Sequence, residues 1–212
     1  MKKLIVLVSA MAAFSLLVPH AGFAQHKASP NNIVGLYLNA DGTGANSTFN
    51  IGVPVLVYLV LINPTDVEND DAPYSTIDAF ECTLNFYGPV LLLLDETLPP
   101  TATNDGDASD INNGFLEYIV GLDTPLDVTA GSATLISFQL MSTNPGVTEI
   151  TLAPTSAPSI PDAMAYQSVS GNFRTMYPAN GSFDLPLFCF NAYCGPSPAE
   201  EKCFGSVKAL YR

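Results

Sequence analysis

The chain contains no tryptophan, two histidines and seven lysine or arginine residues, and these shortages remove more functions than any motif adds. His20 falls in an N-terminal leader and His26 just behind it, where chain ends are least ordered. A Ser-His-Asp triad, a zinc-protease site and a histidine acid/base pair would all depend on that one tail residue, and we exclude them. Lysine is equally scarce in the body of the chain, which removes Schiff-base and Ser-Lys mechanisms. Without tryptophan, a sugar would have to stack on tyrosines such as Tyr74, Tyr118, Tyr166 or Tyr177.

Long apolar runs are also few. Met1-Lys2-Lys3 followed by the run Leu4 to Val18 and then Gly22-Phe23-Ala24 reads as a secretory signal peptide over residues 1–24. Its apolar core is short for a transmembrane span, and no later stretch is long enough to cross a bilayer. The expectation is a secreted protein, in the periplasm, at the cell surface or outside a bacterial cell, maturing near Gln25. No cysteine follows the cleavage point, so a lipid anchor is not expected.

Positive charge becomes scarcer still after cleavage. Lys27, Arg174, Lys202, Lys208 and Arg212 then stand against twenty acidic residues, and Arg174 is the single cation between Ala28 and Glu201. Such a surface repels phosphate backbones and anionic lipid, which excludes nucleic acid as a partner. A protein or glycan partner remains.

What the chain does have is period-two hydrophobicity. In Ile77 to Phe86, the residues Phe80, Cys82, Leu84 and Phe86 alternate with Ala79, Glu81, Thr83 and Asn85, giving a strand with one greasy and one wet face. Tyr87-Gly88-Pro89 breaks it, and Val90 to Leu94 resumes as a strand too apolar for an exposed face, expected to be buried on both sides or covered at an edge. Further strands read at Ile33 to Leu38, Val55 to Ile62, Gly114 to Gly121, Ser132 to Met141, Thr148 to Ala153, Met164 to Val169, Asn172 to Tyr177 and Ser182 to Phe190. The stretch Leu98 to Asn113 is too polar to form an element, and Pro154 to Pro161 reads as an extended crossing loop. No helix is long enough to cross between parallel strands. The fold class is therefore all-β, a single antiparallel β-sandwich of jelly-roll or immunoglobulin-like type with about nine strands, over residues 31–190, followed by a cysteine-containing basic tail at 191–212.

The succession of Gly52-Val53-Pro54-Val55, Ile77 to Phe86, Gly114 to Val120 and Ala133 to Leu140, separated by polar loops, resembles the cohesin-type β-sandwich over roughly Ile33 to Ala153. That resemblance implies an exported nine-strand jelly roll, and cellulosomal cohesins hold dockerin modules. No dockerin-contacting motif is recognisable here, so no binding residue is carried over.

Several constellations carry chemistry. A glycoside hydrolase needs two carboxylates across a cleft, and Asp95 and Glu96 are adjacent, so on a strand they point to opposite faces. Asp105, Asp107 and Asp110 offer alternating oxygen ligands around Gly106, a weak calcium loop that departs from the EF-hand pattern because Asp110 stands where glycine belongs. A second acidic cluster, Glu68, Asp70 and Asp71, is weaker. Cys82, Cys189, Cys194 and Cys203 fit an oxidising compartment and allow three pairings. One tail cysteine is expected to tie back to Cys82, and the other two to pair locally. The segment Glu200 to Arg212 carries three of the five remaining cations, together with Val207, Leu210 and Tyr211, and reads as docking on the acidic body or as a sorting tag. Together these observations describe a non-catalytic secreted binding or structural module. The alternatives are a carbohydrate-binding module with a calcium site and a carboxylate-dependent glycoside hydrolase.

Overall fold

The computed structural model describes residues 31–44, 49–65, 73–106, 111–168 and 170–194. The leader, the acidic cluster at 68–71 and the tail from 195 lie outside the described residues.

Eleven strands follow in order: β1 (Ile33–Tyr37), β2 (Val55–Ile62), β3 (Thr76–Tyr87), β4 (Leu91–Thr97), β5 (Ala102–Asn104), β6 (Phe115–Asp127), β7 (Ser132–Ser142), β8 (Thr148–Ala153), β9 (Met164–Gln167), β10 (Phe173–Pro178) and β11 (Phe188–Phe190). One turn of 3-10 helix, Ile111–Asn113, precedes β6. Hydrogen bonding runs through β11-β8-β3-β9-β10-β1-β2-β7-β4, with β6 on the other side of β3 and β5 beyond it. The chain folds this path into two layers. One holds β1, β2, β7 and β4, the other is centred on β3, and a short parallel pairing of β1 with β10 joins them. All other pairings are antiparallel.

The alternation that predicts β3 sets the core. Phe80, Cys82 and Leu84 point inward, and their cross-strand partners Val120, Tyr118 and Leu116 on β6 do the same. From the opposite layer Val57, Leu59, Phe138 and Leu140 meet them, all at 2% exposure or less. Contact between the layers is direct: the Tyr118 ring lies 6.0 Å from Phe138 on β7. Burying each of these large side chains contributes roughly 1.5–3 kcal/mol, which is why the inward positions tolerate only apolar residues.

A polar knot fastens the joint between the layers. Asn32, just before β1, adopts a left-handed φ of 60°. Its Oδ1 accepts from the Thr65 amide at 2.9 Å and from the Tyr166 hydroxyl at 2.7 Å. That hydroxyl in turn accepts from the Thr65 amide at 2.8 Å. Arg174 donates from Nη2 to Thr65 Oγ1 at 2.9 Å. The one Lys or Arg side chain among the described residues is thus turned to a structural use rather than to the surface.

Among the differences from the sequence reading, three concern β4 to β6. The stretch Leu98 to Asn113, expected to be featureless, supplies β5, which needs only three residues to pair with β6 at Leu122, Gly121 and Val120. Strand β6 continues to Asp127, beyond Gly121 where the sequence reading ends it. Strand β4 is not buried on both sides: it is an edge strand pairing with β7 alone, and Leu92 and Leu94 are 41% and 45% exposed.

Candidate functional site

The residues singled out for chemistry are mostly dispersed or enclosed. Asp105 is exposed on the loop after β5, and Asp107 and Asp110 lie outside the described residues. Cys189 at β11 is bonded to Cys194, which supplies the local disulfide. Cys82 is a free thiol with no solvent exposure, so no tether from β3 to the C-terminal segment forms among the described residues; Cys203 lies beyond them. Burial, and then the charge of Glu81 behind it, push the Cys82 thiol up to about 12. Of the four tyrosines considered as sugar platforms, Tyr118 and Tyr166 are core residues at 1% and 0% exposure. Tyr74 packs edge-on against Tyr166 at 6.2 Å, and Tyr177 is half-buried. Tyr118 and Tyr166 therefore present no ring face to a sugar.

Carboxylates do converge, in a place the sequence reading assigned to solvent. Glu81 and Thr83 on β3 share the outer face with Glu117 on β6, because Thr83 pairs directly with Glu117. These three are 4%, 8% and 3% exposed. Their cover is the proline-bearing segment after β8. The Ser159 amide donates to Glu81 Oε1 at 2.6 Å and its hydroxyl to Oε2 at 2.9 Å, while the Ser156 amide donates to Glu117 Oε1 at 2.5 Å. The crossing loop expected from Pro154, Pro158 and Pro161 is therefore a strap clasped by two glutamates. A loop this rich in proline has few amides to pair with itself, and the carboxylates take those it offers. A glycosidase pair must face a sugar and a water. Glu81 and Glu117 face a strap.

Tyr118 and Glu96 make the other carboxylate contact of note. Tyr118 donates from its hydroxyl to Glu96 Oε2 at 3.0 Å across the gap between β6 and β4. Burial, reinforced by the Glu96 charge, holds that phenol well above the usual tyrosine range.

The second outer face, on β1, β2, β7 and β4, is half covered. At one end the turn after β1 lies over it: a Cβ built on Gly42 would sit 2.9 Å from Ile62, and Thr134 donates to the Ala40 carbonyl at 2.8 Å. At the other end nothing among the described residues lies over it. There Asp95, Gln139 and Leu56 stand in a row across β4, β7 and β2, with Leu92 and Met141 in the next. Leu56, Leu92 and Leu94 are 48%, 41% and 45% exposed, and the flanking Ile51, Val53 and Val90 are exposed to 51%, 48% and 50%. Six large apolar side chains thus crowd one end of one sheet, with Asp95 at its margin. A contiguous apolar patch with a polar rim is the surface form of a protein-docking site. Sequence reasoning missed it by taking the leucine run as a sign of burial; the signal was present, since such a strand needs a cover from somewhere.

No family model and no curated protein matches the chain. Solved structures do. The second type II cohesin module of the adaptor ScaA scaffoldin of Acetivibrio cellulolyticus is similar at 10% identity and a TM-score of 0.50, covering 81% of this chain and 97% of that one. A Clostridium thermocellum cohesin solved in a cohesin–dockerin complex has 10% identity and a TM-score of 0.47, with 75% and 98% covered. A non-cellulosomal cohesin from the archaeon Archaeoglobus fulgidus has 10% identity and a TM-score of 0.44, with 81% and 97% covered. At these identities the likeness is one of fold, and the fold is cohesin-like.

Proposed function

We propose that this chain is a secreted, non-catalytic module that binds a protein partner on the open end of the β4-β7-β2 face. The observation that carries the reading is the crowding of Leu56, Leu92, Leu94, Ile51, Val53 and Val90 on one end of one sheet. Covering each half-exposed side chain is worth roughly 1–2 kcal/mol, enough in sum to drive association after its entropic cost. Charge sets the partner's chemistry. Asp95 borders the patch, so the partner is a protein surface with an apolar centre and a basic group at its rim. A dockerin-type module, the partner in the Clostridium thermocellum complex, is one class to test.

Enclosure of Tyr118 and Tyr166 weighs against a sugar platform, and the strap over Glu81 and Glu117 weighs against their use as a hydrolytic pair. Residues 1–24 support export, and the N-terminus of the exported protein is expected near Gln25.

Affinity capture from the envelope and culture fluid of the source cells tests the reading, with the full chain and with L56R/L92R as bait. The expected result is a protein captured by the first and lost with the second. Capture of the same proteins by both overturns the proposal.

A further inference from the structure

The strap closes on more than two carboxylates. On the outer face of β3 and β6, Thr83 stands two residues from Glu81 and directly across from Glu117, so its side chain rises between the two acids. Thr83 is 8% exposed, and its Oγ1 is buried without a hydrogen-bond partner. In the strap itself, Thr155 immediately precedes Ser156, whose amide binds Glu117. Thr155 is 6% exposed, and its Oγ1 is likewise buried with no partner. Across the sheet Thr83 and Glu81 are flanked by Ala153 on β8 and Ala165 on β9, whose short side chains leave the strap room to come down over the acids. A buried hydroxyl left unpaired is costly, and two beside the same carboxylates call for a shared partner.

Charge decides what that partner is. Glu81 is held by the amide and hydroxyl of Ser159, both neutral donors, and Arg174 is engaged with Thr65 at the joint between the layers. A water would satisfy the hydroxyls but leave the carboxylate charge in place. A small cation answers both needs. Carboxylate and hydroxyl oxygens, without nitrogen or sulfur, are the donor set of a hard divalent ion. Calcium, which accepts about six to eight oxygens in irregular geometry, suits a site built from two strands and a loop better than magnesium does. We infer that Glu81, Glu117, Thr83 and Thr155 bind one calcium ion between the outer sheet face and the strap. The ion enters when the strap lifts, and once bound it fixes residues 154–161 against β3 and β6. Its ligands differ from those of the Asp105, Asp107, Asp110 loop, and its binding does not depend on the function proposed above.

The test titrates the full chain, first stripped with EGTA, with calcium chloride while melting temperature and amide hydrogen exchange at Ser156 and Ser159 are followed. Calcium at about 5 mM is expected to raise the melting temperature by roughly 5 °C and to slow exchange at both serines roughly tenfold. Thr83→Val is the diagnostic change, because it removes a hydroxyl that bonds to no described residue. In EGTA this variant should melt no lower than the parent, while its calcium affinity falls roughly tenfold or more. Thr155→Val should act the same way from the strap side, and Asp105→Asn should leave the gain intact. Calcium without effect on melting and on the two amides, the mark of a buried water, would overturn the inference. So would parental calcium affinity in both T83V and T155V, or a gain lost with D105N instead.

Discussion

Glu81 and Cys82 are neighbours on β3 that face opposite ways, and each is buried for a different reason. Cys82 is in the core by its place in the alternation with Phe80 and Leu84, which is readable along the chain. Glu81 is buried by Ser159, 78 positions away in sequence, and no local pattern announces that. Glu81→Gln keeps the size but removes the charge that the Ser159 amide and hydroxyl bind, and is expected to cost about 1.5–3 kcal/mol in urea unfolding. Faster amide hydrogen exchange at Ser156 and Ser159 should accompany it; unchanged exchange would mean that the strap is held by other contacts. The core thiol and phenols set the alkaline limit. Burial pushes Cys82 and Tyr166 up to about 12, from ordinary values of 9 and 10. Both are held neutral by the fold, so their stabilisation is complete below pH 9 and is lost as pH climbs toward 12. Melting temperature should fall across that window, and Cys82→Ala should flatten the early part of the fall. A profile identical in shape to that of the parent would contradict the assignment.

Elements were legible where hydrophobic period and length agreed, as in β2, β3 and β7. They were not where three residues sufficed, as in β5, which among the described strands pairs with β6 alone. The leucine run of β4 was seen and its setting misjudged. Apolar side chains on both sides usually mean a central strand, but here β4 closes the sheet and shows its outer side. The turn feeding it is more tightly determined. Gly88 has a φ of 116°, and a Cβ there would stand 2.3 Å from the Val147 carbonyl oxygen. Gly88→Ala should therefore destabilise by about 1–3 kcal/mol and lower the melting temperature by several degrees. A neutral outcome would show that this turn can relax.

For the molecule as a whole, composition gives an acidic chain, and the structure adds where the one cation among the described residues went. Arg174 is spent on Thr65 inside the joint between the layers, beside Tyr166 and Asn32. Tyr166→Phe removes the hydroxyl shared by Asn32 and the Thr65 backbone, and is expected to cost about 1–3 kcal/mol in chemical unfolding. No single stretch of sequence could show the open face, because its rows are assembled from β4, β7 and β2, which lie far apart along the chain. One outer face is strapped, the other half open, and binding is assigned to the open one. Its most direct test is the affinity of the full chain for its captured protein, compared with L56R/L92R on the open face and with Ala157→Arg on the strap. The expected result is a loss of at least a hundredfold for the first and a change within threefold for the second; the reverse order would place the partner on the strapped face and contradict the assignment.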